Sequence, residues 1–267
     1  MKSQKESALS ISAIVPFFNE EKQLTKVVGQ LLKSLLIDEV ICINDGSTDR
    51  SFERLQRFNG SVRIISLRRN HGKGYALAQG IKKAKGKIVV FFDSDLINLT
   101  LKHIDTLLNP ILQNKARVVL GYPTGGYFPS LFKDVTGERA YYRNDILSHL
   151  NAISKTNRFS VEYYLNEIFD ASDIKRVPLR KLMHLYKHEK YTMRQAVKEI
   201  VKDILTIAFQ LGKTGILKSR DIKSITNDIS NMNTITTLKE LKYIINRIKN
   251  QKVKRYFKQA FQYFYRL

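Results

Sequence analysis

The chain has 267 residues, and 43% hydrophobic with 26% charged residues suits one large globular domain, or a domain with an appendage, rather than a disordered chain. Forty-six Lys and Arg against 24 Asp and Glu leave a net charge of +22, which calls for a polyanionic partner: nucleic acid, an anionic membrane surface or phosphorylated substrates. The single Cys42 excludes a disulfide framework, and no apolar run reaches the ~18 residues that span a bilayer.

Taken in chain order, Ile11 to Pro16 predicts a first strand. Leu24, Val27, Val28, Leu31, Leu32 and Leu35 carry helical spacing across Glu20 to Leu36. Glu39 to Asn44 is a second strand, after which Ser47-Thr48-Asp49 caps a helix from Arg50 to Phe58. Val62 to Leu67 is a third strand, followed by a glycine-rich turn and a helix from Tyr75 to Ala84. Lys87 to Phe92 is the fourth, Leu101 to Leu112 a helix and Arg117 to Gly121 the fifth strand. This alternation predicts an α/β fold with a mostly parallel, doubly wound sheet. Pro123 to Val135 reads as an aromatic, glycine-rich loop, Tyr141 to Leu150 and Val161 to Phe169 as helices, and Ile174 to Leu179 as a last strand.

From Tyr191 the character changes. Met193, Ala196, Val197, Ile200, Val201, Ile204, Leu205, Ala208 and Phe209 mark an amphipathic helix, and Leu238 to Ile248 and Val253 to Tyr265 predict two more. Residues 1–190 are therefore read as the α/β domain and 191–267 as a basic helical extension.

Candidate chemistry gathers where the strands end. Asp93-Ser94-Asp95 follows the apolar run Ile88-Val89-Val90-Phe91-Phe92, which puts two carboxylates at the edge where open α/β sheets bind ligands. A hard divalent cation bridging a diphosphate takes such ligands; the ordinary alternative is a helix cap. Pro16-Phe17-Phe18-Asn19-Glu20 and Asn44-Asp45-Gly46-Ser47-Thr48-Asp49 end at the same edge. Asp45 can accept the imide N–H of a uracil ring, backbone groups of Pro16 and Phe17 can pair with the base, and Glu20 can hold ribose hydroxyls. The bland alternative for Asn-Asp-Gly-Ser is a tight turn. His71-Gly72-Lys73-Gly74 sets a lysine at a helix N-terminus, which suits phosphate but lacks P-loop spacing.

In this order the pieces resemble the nucleotide-diphospho-sugar glycosyltransferases of the GT-A fold, in particular the family 2 group that includes polyprenol-phosphate transferases. The resemblance rests on Val15-Pro16-Phe17-Phe18-Asn19-Glu20-Glu21, Asn44 to Asp49, Asn70-His71-Gly72-Lys73-Gly74 and Asp93-Ser94-Asp95. A closer local likeness is to glucosyl-3-phosphoglycerate synthases, through Phe92 to Asn98, Gly137-Glu138-Arg139-Ala140, Val161-Glu162 and His184. It implies transfer of a sugar, glucose from a UDP donor, with Mg²⁺ or Mn²⁺ held by Asp95, Asp93 and His184, or His188 in place of His184. Lys73 would stabilise the departing diphosphate. Asn19, Gly46 and Ser94 fall within the matching donor motifs.

Glu138 and Glu162 read as sugar-hydroxyl binders, with ion pairing to Arg139 or Arg143 as the structural alternative. The acceptor is a lipid phosphate or, as in the synthases, a small phosphorylated hydroxy acid. Gly121 to Val135 departs from the synthases, being short with Lys133 as its one cation. The basic C-terminal helices suit an anionic membrane interface, or packing on the domain or a homodimer partner. The polar Met1 to Ser10 lacks the core of a signal peptide, so the expected place is the cytoplasm, with a peripheral position on the membrane's inner face. Two other classes compete. A nucleotidyltransferase would carry a glycine-rich signature after the first strand, and a nucleic-acid binder would carry no converging carboxylates.

Overall fold

The computed structural model describes residues 9–125, 133–156, 160–185 and 192–213, with scattered positions beyond. Nine strands are present among them: β1 Ile11–Phe17, β2 Glu39–Asn44, β3 Arg63–Ser66, β4 Ile88–Phe91, β5 Leu96–Ile97, β6 Val118–Pro123, β7 Glu138–Tyr142, β8 Ile174–Leu179 and β9 Met183–His184. Seven form one sheet in the order β3-β2-β1-β4-β7-β6-β8, and β5 pairs with β9 in a separate ribbon. Within the seven-stranded sheet all pairings are parallel except those of β7, which runs antiparallel to both β4 and β6.

Every residue of β1 is buried, as a central strand covered on both faces requires. Alternate side chains feed two cores. Val15, Cys42 and Val90 pack with α1 (Leu24–Leu31) and α4 (Leu101–Leu112) through Leu24, Val28, Ile104 and Leu108. Ile14, Ile41, Ile43 and Val89 pack with α3 (Lys73–Lys83) through Ala76, Leu77 and Ile81. The remaining helices are α2 Ser51–Leu55, α5 Arg143–Leu147, α6 Leu150–Ser154, α7 Ser160–Glu167 and α8 Met193–Lys213, which packs on α7.

Two expectations change. The first helix ends at Leu31, and Leu35 is 99% exposed. The chain must turn there to enter β2, and Asp38 clamps that entry: its N–H donates to the Ile11 carbonyl while its carboxylate accepts the Ile11 N–H at 2.8 Å. The second concerns the start of the helix expected over Tyr141 to Leu150: Tyr141 and Tyr142 close a strand that begins at Glu138. Its pairing with buried β4 and β6, Phe91 beside Arg139 and Gly121 beside Glu138, overrides the helical spacing, which resumes only at Arg143. Because β7 is antiparallel, its first residue lies at the edge where the parallel strands end. That reversal brings Glu138 to the site.

Among the described residues no helix is long and apolar enough to cross a membrane. Apart from scattered positions, the helices expected at Leu238–Ile248 and Val253–Tyr265 lie outside the described residues.

Candidate active site

The loops after β1 and β2 are stitched together. Asn19 adopts φ 56°, its side-chain oxygen accepts the N–H of Thr48 (2.8 Å) and of Asp49 (3.3 Å), and its own N–H donates to Ser47 Oγ at 3.0 Å. Glu20 N–H donates to Ser51 Oγ at 2.7 Å, and Glu21 N–H to Asp49 Oδ2 at 3.2 Å. Asn19 is thus a bracket between loops. Pro16 is paired in register with Ile43 inside the sheet, and the Phe17 carbonyl accepts the Asp45 N–H at 2.9 Å.

Asp45, 3% exposed, has both carboxylate oxygens engaged: Oδ1 accepts the His71 N–H and Oδ2 the Gly72 N–H, each at 2.8 Å. Burial raises its pKa and these two N–H groups partly offset the rise. The turn leading into α3 therefore hangs from Asp45. Gly46 makes room for it, because its φ is +74° and a Cβ would collide with the backbone of Arg69 and Asn70.

That placement alters what substituting Asp45 should do. A pure base contact would raise KM for the donor and spare kcat. Asparagine removes the charge and one acceptor, and a hydrogen bond to a charged group is worth about 1.5–3 kcal/mol. Asp45→Asn is therefore expected to lower kcat/KM by roughly 10–100-fold, with part of the loss in kcat because Lys73 follows the anchored turn. Steady-state kinetics that place the whole loss in KM would restore the simple base contact.

Lys73, the first residue of α3, lies between two carboxylates: Nζ is 2.7 Å from Asp93 Oδ1 and 2.8 Å from Glu162 Oε1. Burial by itself pulls the ammonium down, but Asp93 and Glu162 outweigh it and hold the pKa above its ordinary value. Glu162 sits on α7, and its pKa is raised, first by burial, with Lys73 and then Arg139 pulling back. Its Oε2 is buried with no hydrogen-bond partner.

The expected pairing of Glu138 or Glu162 with Arg139 or Arg143 is not what forms. The buried Arg139 guanidinium donates to the carbonyls of Thr136 and Asp134 (both 2.6 Å) and Glu162 (3.3 Å), to Asn166 Oδ1 (2.7 Å) and to the Tyr141 hydroxyl (3.1 Å). These are neutral acceptors, so it braces β7 against α7 and leaves both carboxylates to other partners. Arg143 donates to the Ile81 and Lys82 carbonyls at the end of α3.

Gly137 lies directly under Asp93, where a Cβ would collide with the carboxylate. The sequence marks Gly137 only as part of a motif; nothing in its spacing says that a side chain 44 positions away occupies the vacant volume. Gly137→Ala is expected to push Asp93 aside and lower turnover by about 10²-fold, since misplacement of about 1 Å costs that much. The comparison is kcat against wild type, with circular dichroism to verify the fold.

His184 is positioned by the β5–β9 ribbon, in which it pairs with Leu96, the residue after Asp95. Its Nδ1 is 3.1 Å from Asp95 Oδ1 and its Nε2 3.7 Å from Glu138 Oε2. The Leu185 N–H donates to the Asp95 carbonyl at 2.9 Å. Burial lowers the imidazole pKa, but Glu138 and then Asp95 prevail and raise it well above its ordinary value. Glu138 is 0% exposed, and its Oε1 has no hydrogen-bond partner. Thr136 Oγ lies 2.7 Å from Glu138 Oε2 and 2.5 Å from the Gly121 carbonyl, a contact the sequence reading missed. With one proton, that hydroxyl can donate to only one of them.

Asp93, Glu138 and His184 each offer a ligand atom, and these atoms lie within 4.8 Å of one another. Asp95 adjoins the cluster through His184, and Ser94 is buried between the two aspartates. His188, the alternative ligand, lies outside the described residues.

Residues 12–200 match the model of glycosyl transferase family 2. An uncharacterized glycosyltransferase of Synechocystis sp. is 37% identical over 95 residues, which are 33% of this chain and 30% of that protein. Dodecaprenyl-phosphate galacturonate synthase of Rhizobium johnstonii is 24% identical over 230 residues, covering 76% of this chain and 67% of that protein. Glucosyl-3-phosphoglycerate synthase of Mycobacterium tuberculosis, solved with Mn²⁺, UDP and glucosyl-3-phosphoglycerate, superposes with TM-score 0.62 at 26% identity over 79% of this chain and 82% of that one. The same enzyme has also been solved with Mg²⁺ and UDP, at 25% identity and TM-score 0.62. The mostly parallel sheet flanked by helices is the GT-A fold of these enzymes. The chain, which spans about a third of the length of most of the curated relatives it matches, belongs to glycosyltransferase family 2.

Proposed function

We propose that the chain transfers glucose from UDP-glucose to a phosphorylated or lipid-linked acceptor with the help of Mg²⁺ or Mn²⁺. The observation that carries this reading is the convergence of Asp93, Glu138 and His184 beside Lys73 at one sheet edge. The donor set fits the ion: two carboxylates and an imidazole suit Mg²⁺ or Mn²⁺, the imidazole favouring Mn²⁺, and the buried Glu138 Oε1 meets no hydrogen-bond donor. Asp95, whose Oδ1 is 3.1 Å from His184 Nδ1, would add a further carboxylate to this set. Bound there, the metal would act as a Lewis acid on the diphosphate leaving group.

The chain's own residues have separate tasks. Lys73 adds positive charge against the departing diphosphate, Asp45 holds the turn that presents it and reaches toward the base, and Glu20 meets the ribose. Glu162 contacts sugar hydroxyls rather than serving as a base, since an ionised phosphate acceptor needs none, and Glu138, expected beside it on the sugar, turns to the ion instead. The chain's likeness to a dodecaprenyl-phosphate enzyme supports a lipid phosphate. The likeness to the M. tuberculosis synthase supports a phosphoglycerate-type acceptor, but Lys133, the cation of the short loop, lies over the Tyr122 ring at 4.7 Å. We place the boundary near residue 190 and assign the basic extension to an anionic membrane surface on the cytoplasmic side, or to a homodimer.

The test offers UDP- and GDP-sugars with both acceptor classes and reads the anomeric coupling of the product by NMR. No product from any UDP-sugar, with stabilisation by duplex or single-stranded nucleic acid instead of UDP plus Mn²⁺, would discard the reading. Flotation with anionic liposomes at low salt separates the membrane role, which should weaken as salt rises, from dimerisation.

A further inference from the structure

We propose that Glu138 is a protein ligand of the metal and that, with it, the site takes up the ion before any nucleotide arrives. The inference rests on the function proposed above and deepens it. A site with one or two carboxylates holds Mg²⁺ or Mn²⁺ mainly through the substrate's phosphates, since the protein supplies too few oxygens to displace the ion's water shell. Here, beside Asp93 and the His184 imidazole and with Asp95, whose Oδ1 is 3.1 Å from His184 Nδ1, Glu138 makes a third carboxylate. It is fully buried and its Oε1 meets no donor, although Thr136 approaches the other oxygen.

A buried carboxylate oxygen that meets no donor is open to a cation, and the His184 imidazole, 3.7 Å away, faces the other oxygen of Glu138. Lys73 does not fill that role: its ammonium is engaged by Asp93 Oδ1 at 2.7 Å and Glu162 Oε1 at 2.8 Å. Arg139, next in sequence, is turned to neutral acceptors on the α7 side. The Glu138 oxygen instead lies in the group with Asp93 and His184, whose candidate ligand atoms are within 4.8 Å of one another. Antiparallel β7 makes this possible, since its first residue enters the sheet where β4 ends. A glutamate at any later residue of β7 would be carried away from the metal position.

The experiment follows the EPR signal of free Mn²⁺ during titration with the full-length protein, without nucleotide and again with UDP. Wild type should bind one Mn²⁺ with no nucleotide present. Glu138→Gln should weaken that binding by more than the 10–100-fold that loss of an outer-shell partner costs, and UDP should restore much of it. Melting of both proteins in chelator shows whether the variant is folded. If it is not, wild type alone still decides. Wild-type binding that appears only with UDP overturns this inference and leaves the proposed function standing. Binding in neither condition overturns both the inference and the metal-dependent function. A folded Glu138→Gln with wild-type affinity in the absence of nucleotide also overturns the inference.

Discussion

Lys73→Met is expected to lower kcat by about 10²–10³-fold, the loss that follows removal of one group aimed at developing negative charge. Methionine keeps the length and apolar stem of the side chain, so the effect isolates the ammonium. The same change leaves Asp93 and Glu162 facing each other with no cation between them. Removing one partner from a buried ion pair costs about 3–5 kcal/mol, and Asp93, being partly open to solvent, should keep the loss near the lower figure. The Glu162 pKa, already raised by burial and pulled back first by Lys73, should climb further. Kinetics well below the melting temperature separate catalysis from stability. A kcat within threefold of wild type, in a protein that has clearly lost stability, would make Lys73 a structural cation and move leaving-group stabilisation elsewhere.

Much of this site could be read from the sequence because it sits where strands end. The apolar runs before Pro16, Asn44 and Asp93 identify β1, β2 and β4, and a parallel sheet sends their ends to one edge. Local patterning could not reveal pairs made across the chain. Asp45 reads as a candidate from its turn motif, but its partners are backbone N–H groups 26 and 27 residues on. Asn19 likewise meets Thr48, 29 residues away. The two-residue strand β9 is too short to leave a period, although its pairing with β5 alone sets His184 beside Asp95. Strand β7 misled for a different reason: Glu138 to Tyr142 is followed at once by helical residues, so periodicity over a window averages two elements. That miss matters most, since the reversal of β7 carries Glu138 into the crevice and turns Arg139 out of it.

Asp95→Asn is expected to abolish measurable transfer with the fold intact. The amide keeps the shape of the side chain, and the Asp95 carbonyl still accepts the Leu185 N–H. What is lost is the charge 3.1 Å from His184 Nδ1. With the metal bound, that charge helps to hold the ion against the diphosphate, and losing several kcal/mol of leaving-group stabilisation amounts to about 10³-fold at 1.4 kcal/mol per decade. Without metal, the same substitution has its own signature. Asp95 is one of two carboxylates that raise the imidazole pKa against burial, so the His184 ring should titrate at lower pH in the variant, as followed by NMR of its C–H resonances. Glu138 is the larger cause, so the shift should be partial. The two readouts test different links. Loss of turnover with an unmoved imidazole pKa would place Asp95 on the ion but away from the histidine, and near-normal turnover with an unchanged metal requirement would remove Asp95 from the metal site.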